Sequence, residues 1–415
     1  MAVVSLPQPT LLTGRCVTAS GVIDDGALVI EGDRIRFAGK ASEVPSRWHG
    51  TPVPSDWAGR LTLLPGLVDA HCHGGAGGEF GAAADSAETA VRYHHASGTT
   101  TLLGSLVSNT RDALVSGVGT CAAMVAAGDL AGIHLEGPFL SMERRGAQNP
   151  AVLTDVDPAL IEAVGLAAES AGAPDAVAQM TYAPERGGGA ALPALLGANG
   201  ILPALGHTNS DASTAWASLR SALETAPRGG RPLVTHIFNG MPPLHQRTPG
   251  PVAACLAQAA QGEAVLEVIG DGVHLAAETV RMVFDIVGPQ AICLITDAMA
   301  ASGMSDGTYT LGGQDVIVAD RTARLIDGES IAGGVATMLD VLRWCVDAAG
   351  ITLLDAVTAA SLTPARTLGL AGVGSLEAGN QADVVVVDHA LRLQRVLRRG
   401  RWLAPTTERA GSPTT

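Results

Sequence analysis

An α/β architecture is expected of this 415-residue chain: a (β/α)8 TIM-type barrel carrying a small β-sandwich formed by the N- and C-terminal segments. Three observations lead there. Through the middle, residues 63–372, apolar strand-like runs alternate with alanine-rich helical stretches, a pattern that predicts a parallel sheet covered by helices. The two ends, 1–62 and 373–415, are rich in short strands and turns instead. The polar residues of the middle segment fall at the C-terminal ends of its apolar runs, which in a barrel is the face where active sites are built.

The elements follow in chain order. Near the start, Leu28-Val29-Ile30 leads through Glu31-Gly32-Asp33-Arg34 into the alternating stretch Arg34–Gly39, a hairpin pattern. Eight apolar runs follow: Leu67–His71, Thr99–Val107, Gly132–Glu136, Met180–Ala183, Ile201–His207, Leu233–His236, Ala264–Gly270 and Ala291–Asp297. Eight strands with interleaved helices over roughly 300 residues fit a barrel with insertions. A doubly wound open sheet is the alternative, but no GxGxxG follows the first run. Beyond the barrel, the turn-rich Gly374–Gly379 opens onto a buried strand, Ala382–Asp388. The last ten or so residues, rich in Pro, Thr, Ser and Gly, are expected to fray.

Bulk properties narrow the function. A net charge of −14 speaks against a nucleic-acid partner, which calls for a basic face. An aromatic content of 3% speaks against a stacking platform. A small anionic substrate stays compatible, because one arginine can bind a phosphate within an acidic protein. Cys16, Cys72, Cys121, Cys255, Cys293 and Cys345 form no CxxC pair and read as reduced buried thiols. No apolar run approaches the ~18 residues of a membrane span. Met1–Arg15 does not read as a signal peptide. A cytoplasmic protein with no membrane partner is expected.

The site is written at the strand ends. The first run closes on His71-Cys72-His73, the third on Glu136, the fifth on His207, the sixth on His236 and the eighth on Asp297. The strand period of two puts His71 and His73 on one side and turns Cys72 away. One HxH pair alone is weak evidence. Together with Glu136, His207 and His236 it makes a donor set suited to zinc or another divalent transition metal, as one or two ions, with polar core histidines as the alternative. Asp297 is either the N-cap of the next helix or a general base. A metal lowers the pKa of its bound water to about 7, and a nearby carboxylate can take that proton and return it to a leaving amine. Arg247, in a Pro/Gly-rich loop after the sixth run, is either a solvated surface side chain or a clamp for an anion. His274, after the seventh run, is a second candidate grip or a loop histidine bonded to backbone. His94 and His95, in the first helix and away from the strand ends, read as structural, as do His49, His245 and His389. His134 lies on the face of Glu136, one layer deeper.

Leu64-Pro65-Gly66-Leu67-Val68-Asp69-Ala70-His71-Cys72-His73 resembles the first-strand motif of the amidohydrolase superfamily. More narrowly, His134–Phe139, Tyr182–Glu185, Gly206–Asn209, Thr235–Pro242, Asp271–His274 and Thr296–Ala298 resemble the N-acetylglucosamine-6-phosphate deacetylase family, in order and over nearly the whole chain. The resemblance implies metal ligands at Glu136, His207 and His236. It implies a second metal on His71 and His73 in members that keep this pair, and Asp297 as the acid/base. It implies contacts to an amino-sugar phosphate from Asn239, Gly240, Arg247, His274 and the loop Ile331-Ala332-Gly333, with the arginine reaching in from a neighbouring subunit and hence a homodimer. Lys40 is the only lysine and lies outside the barrel, so no carboxylated lysine bridges the metals. Any bridge must come from Glu136. In Arg145-Gly146-Ala147-Gln148-Asn149-Pro150 the pattern departs from the family: Ala147 and Gln148 stand at the substrate, and Gln148 replaces the usual histidine. A glutamine donates and accepts hydrogen bonds but carries no positive charge and shuttles no proton. Gly240 is a milder departure, since alanine is common there. The expected reaction is removal of the acetyl group of N-acetylglucosamine 6-phosphate. Another N-acyl amino-sugar phosphate as substrate and a non-catalytic sugar-phosphate sensor are the alternatives.

Overall fold

The computed structural model describes residues 8–54, 57, 61–328 and 330–404. The frayed end expected at the C-terminus lies outside these residues. Eight parallel strands form the barrel sheet: β1 (Leu67–Asp69), β2 (Thr99–Val107), β3 (Gly132–Glu136), β4 (Val177–Tyr182), β5 (Leu202–Leu205), β6 (Leu233–Val234), β7 (Val265–Ile269) and β8 (Ile292–Ile295). They are ordered sequentially, as a right-handed succession of βα units requires. A helix follows each: α1 (Ala84–Ala96), α2 (Arg111–Ala127), α3 (Pro158–Ser170), α4 (Leu192–Ala198), α5 (Ala212–Thr225), α6 (Gly250–Ala260), α7 (Ala277–Val287) and α8 (Met338–Asp347). All eight apolar runs are strands, and β4 starts three residues earlier than its run.

Closure between β8 and β1 is made by side chain as well as backbone. Buried Asp69 accepts from the Thr296 hydroxyl at 2.6 Å and from the Thr296 N–H at 3.3 Å, while the Asp297 N–H donates to the His71 carbonyl at 2.9 Å. Burial pushes the Asp69 carboxyl up to about 7, against the pull of its hydrogen bonds to Thr296. The helices start where the sequence offers caps. Thr110, Asp157 and Asp211 accept from backbone N–H groups at the starts of α2, α3 and α5, and Thr337 with Asp340 forms a full capping box on α8. Outward-facing Leu205, Val234, Leu266, Val268 and Leu294 pack on Leu219, Val252, Val280 and Leu342 of the surrounding helices. Each such side chain, once buried, contributes on the order of 2 kcal/mol.

The chain ends meet in one seven-stranded sheet that includes Thr10–Thr18, Gly21–Glu31, Arg34–Lys40, Thr62–Pro65 and Val384–Val387. The expected hairpin is present: Ile30 pairs with Ile35 and Glu31 with Arg34, across a two-residue loop in which Gly32 takes φ 62°. One element went unread in the sequence. After β8 the chain forms a three-stranded antiparallel sheet, Gly307–Leu311, Gln314–Ala319 and Thr322–Leu325, that leans over the C-terminal face of the barrel.

Candidate metal and active site

Strand periodicity builds the centre. On β3, Ile133 and Leu135 face the helices, so His134 and Glu136 face the barrel axis. His134 lies one layer down, as expected, bonded to the hydroxyls of Ser105 (3.0 Å) and Thr181 (2.8 Å). Glu136 occupies the middle. Its Oε1 lies 2.9 Å from His207 Nε2 and 3.0 Å from His236 Nε2, and its Oε2 lies 3.1 Å from His73 Nε2. Asp297 closes the other side, with Oδ1 3.4 Å from His71 Nε2 and 3.2 Å from His73 Nε2. Two groups thus converge, His71/His73/Asp297 and Glu136/His207/His236, each compact enough to hold a cation. His207, His236 and Asp297 have φ of 45°, 26° and 48°, a region sparsely used by residues with a Cβ. This turn of the backbone past the strand end aims their side chains inward, and such strain clusters at functional sites.

The donor chemistry fits a metal. Three imidazoles are held at the nitrogen facing away from the centre. His71 Nδ1 donates to Glu267 Oε2 (3.0 Å), His73 Nδ1 to the Ser105 carbonyl (3.2 Å) and His207 Nδ1 to the Arg144 carbonyl (2.8 Å). Their Nε2 atoms then bring lone pairs against one another, 3.1 Å between His71 and His73, and against carboxylate oxygens. Acceptor facing acceptor needs positive charge between. Protons can supply it: burial disfavours a charged His71, but the carboxylates of Asp297, Glu136 and Glu267 outweigh that and hold its pKa well above the usual value. His73 is raised to about 9, where hydrogen bonds to Asp297 and Glu136 overcome burial. A divalent cation answers the same demand.

Above the centre opens a cavity of ≈ 370 Å³, lined by His73, Glu136, Ala147, Gln148, His207, His236, Asn239, Gly240, His274, Asp297, Ile331 and Gly333 among others. That volume suits a small-molecule ligand. His274 is fixed by Asp271 (Nδ1 to Oδ2, 2.8 Å), which leaves its Nε2 for a ligand. Ala332 does not line the cavity. It is buried in the small core beneath the three-stranded sheet. Arg247 is exposed and lines a separate recess with Asn209 and His245, outside this cavity. Gln148 is buried, with Nε2 2.6 Å from Glu136 Oε2 and Oε1 accepting from the Ser108 N–H at 2.8 Å. Cys72 points away as expected, its Sγ 3.2 Å from His94 Nε2. His94 is therefore structural but not remote, since it backs the end of β1. Sequence reading missed Glu267 and Gln179 below the centre, and Leu311, Arg324 and Ser330 on the cavity wall. Glu267, a carboxylate inside an apolar strand, was the readable signal.

Fold and donor set define a barrel hydrolase of the metal-dependent type, and comparison with known proteins agrees: the model of the amidohydrolase family matches residues 62–408, and the chain belongs to that family. Within it, the chain is 31% identical over 372 residues to the N-acetylglucosamine-6-phosphate deacetylase of Lysinibacillus sphaericus, covering 88% of this chain and 91% of that one. It is also 31% identical over 393 residues to the N-acetylgalactosamine-6-phosphate deacetylase of Escherichia coli O157:H7, covering 93% and 97%. Among solved structures, a mutant N-acetyl-D-glucosamine-6-phosphate deacetylase from Mycobacterium smegmatis in complex with N-acetyl-D-glucosamine-6-phosphate superposes with a TM-score of 0.87 at 38% identity, over 95% of this chain and 99% of that one.

Proposed function

We propose that this chain hydrolyses the acetamide of N-acetylglucosamine 6-phosphate to acetate and glucosamine 6-phosphate. The observation that carries the reading is the meeting of two histidine–carboxylate groups at Glu136, on the floor of a sugar-sized cavity with Asp297 at its edge. Similarity to deacetylases of this substrate along nearly the whole chain supports it. Glu136, His207 and His236 would hold one divalent ion, zinc or another transition metal, and His71 and His73 with Asp297 would hold a second. When bound there, such an ion polarises an amide carbonyl and lowers the pKa of water to about 7.

The protein's own groups do the rest. Burial opposes ionisation of Asp297, but in the metal-free protein His71 and His73 beside it hold its pKa below the ordinary carboxylate value, so it stands as a carboxylate at neutral pH. Its Oδ1 faces the two histidines, which leaves Oδ2 to take the proton from the attacking water and pass it to the departing amine. His274 Nε2, Asn239, Ala147 and the backbone of Gly240, Ile331 and Gly333 orient the sugar. Arg247 lies too far out to serve its own cavity, and we assign it to the phosphate in the cavity of a second copy, which makes the working unit a homodimer. The cytoplasm is the proposed compartment; among the described residues no helix is long and apolar enough to cross a membrane.

Gln148 favours one second reading. Both ends of its amide are engaged by Glu136 and Ser108, so it offers a ligand less than a histidine there would. A different epimer or acyl group is then the preferred substrate. The experiment is acetate release by metal-reconstituted protein from the 6-phosphates of N-acetylglucosamine and N-acetylgalactosamine. Turnover of the first should be lost in Asp297→Asn. Mixing Asp297→Asn with Arg247→Ala should restore part of it, because a hybrid dimer keeps one complete site. Faster turnover of the galactosamine epimer would shift the assignment to the second reading. Absence of acetate from both substrates, with metal bound, would leave a different acyl group or the non-catalytic sensor, and release of another carboxylic acid from the corresponding N-acyl sugar phosphates separates the two.

A further inference from the structure

We propose that Glu267 is the positioning residue that makes His71, His73 and Asp297 a second cation position, by holding His71 and the backbone of His236 on one carboxylate oxygen. The proposal rests on the reading of the site as a metal centre. Glu267 lies on β7 with its side chain fully buried below that centre. Its Oε2 accepts from His71 Nδ1 at 3.0 Å and from the His236 N–H at 3.3 Å. Its Oε1 accepts from Gln179 Nε2 at 3.1 Å, and the same amide nitrogen lies 3.1 Å from the Ala70 carbonyl. One oxygen therefore ties β1 to the end of β6, and so ties together one member of each donor group.

Two consequences follow from the chemistry of that contact. A carboxylate at Nδ1 fixes the tautomer whose Nε2 lone pair faces the centre, and it makes that nitrogen a stronger donor. His73 and His207 have only neutral carbonyl oxygens at the corresponding atom, so His71 alone of the three receives this reinforcement. Charge supplies the second consequence. Glu136, Asp297 and Glu267 place three carboxylates within reach of His71. Their three negative charges exceed the two positive charges of a single divalent ion, which leaves room for a second cation. A buried carboxylate is costly to maintain without a charged partner; a second cation, reached through His71, is the partner this one serves.

The test is a titration of the metal-free protein with Zn2+, counting bound ions and their affinities, repeated with Co2+ and read by visible absorption. The parent should bind two ions per chain. In Glu267→Gln the tighter ion should remain while the other weakens by about tenfold to hundredfold. In a His71→Asn background the same substitution should change nothing further, because the residue it acts through is gone. If Glu267→Gln does not fold, Gln179→Met, which frees Oε1 but keeps the carboxylate, should weaken the same ion several-fold. Both ions bound at parental strength in the folded variants would overturn the proposal, as would an equal loss in the His71→Asn background or a single ion in the parent. A parent that binds no zinc would overturn the metal reading as well.

Discussion

Gly240 shows how tightly single positions are constrained around the centre. Its φ is 61°, and a Cβ placed on it would lie 2.8 Å from His207 Nδ1 and 3.1 Å from the Arg144 carbonyl. Those are the two partners of the 2.8 Å hydrogen bond that orients His207. Alanine, common at this position in the family the sequence resembles, would here press on that bond and also sit in a backbone region that costs it about 1 kcal/mol. Gly240→Ala should therefore weaken the ion proposed for Glu136, His207 and His236 by about tenfold, in line with the effect of losing an outer hydrogen bond to a ligand. Zinc competition against a chromophoric chelator measures this; unchanged affinity would mean that the loop yields instead. The convergence of these side chains was legible in the sequence, because each stands at the end of an apolar run and the runs end on one face. The positive φ of His207, His236 and Asp297 was not, since nothing in the local sequence distinguishes a strand end that turns inward from one that stops. Gln148 was legible as a departure from pattern, but its attachment to both Glu136 and Ser108 depends on a contact between chain segments 40 residues apart.

The barrel strands and helices could be read from apolar runs alternating with alanine-rich stretches, because the physics that sets them is local. The three-stranded sheet after β8 was equally local and was overlooked. Gln314–Ala319 alternates buried and exposed positions, Gly312-Gly313 marks the turn before it, and Asp320 and Arg321 take φ of 48° and 62° in the turn after it. It lies between the Thr296–Ala298 motif and the Ile331–Gly333 loop and carries none of the residues proposed as metal donors. The sheet matters because it completes the cavity wall with Leu311 and Arg324, and it is pinned at two points. The Gly312 N–H donates to Glu79 Oε1 at 3.0 Å, and Gln314 Nε2 donates to the Ala147 carbonyl at 2.5 Å. The second pin holds the sheet to the loop that carries Gln148. Gln314→Ala should loosen that wall without touching the donor set. The expected outcome is a several-fold rise in KM for the sugar phosphate with unchanged zinc content and an unfolding free energy within about 0.5 kcal/mol of the parent. A fall in kcat at unchanged KM would place Gln314 in a different role.

Acid stability follows from how the barrel is closed behind its active face. His94, on α1, is fully buried against the end of β1, with Nε2 donating to the Gly74 carbonyl at 2.9 Å and Nδ1 without a hydrogen-bond partner. That is the environment of a neutral imidazole: burial pushes its pKa down to about 4, against a small opposing effect of the Gly74 bond. In the unfolded chain the same group titrates near 6.5. Between about pH 6.5 and 4 the unfolded state therefore binds a proton that the folded state does not, so stability falls as pH falls through that window, by at most ~1.4 kcal/mol per pH unit. Above it the group imposes no penalty. His71 and His73, raised in the metal-free protein, act above that window: their contribution is complete below about pH 6.5 and is lost as pH rises, so it offsets the effect in the parent between pH 7.5 and 6.5. The difference between parent and His94→Gln isolates it. Glutamine keeps a donor for Gly74 and cannot be protonated, so the variant should lose stability relative to the parent at pH 7.5, through imperfect packing, and recover much of that loss by pH 5. Urea midpoints at the two pH values, with zinc removed from both proteins, provide the check. A variant that instead loses further ground on the parent at pH 5 would mean that His94 carries its proton in the folded protein, and that the barrel end behind His71 and His73 is held by charge rather than by a neutral hydrogen bond.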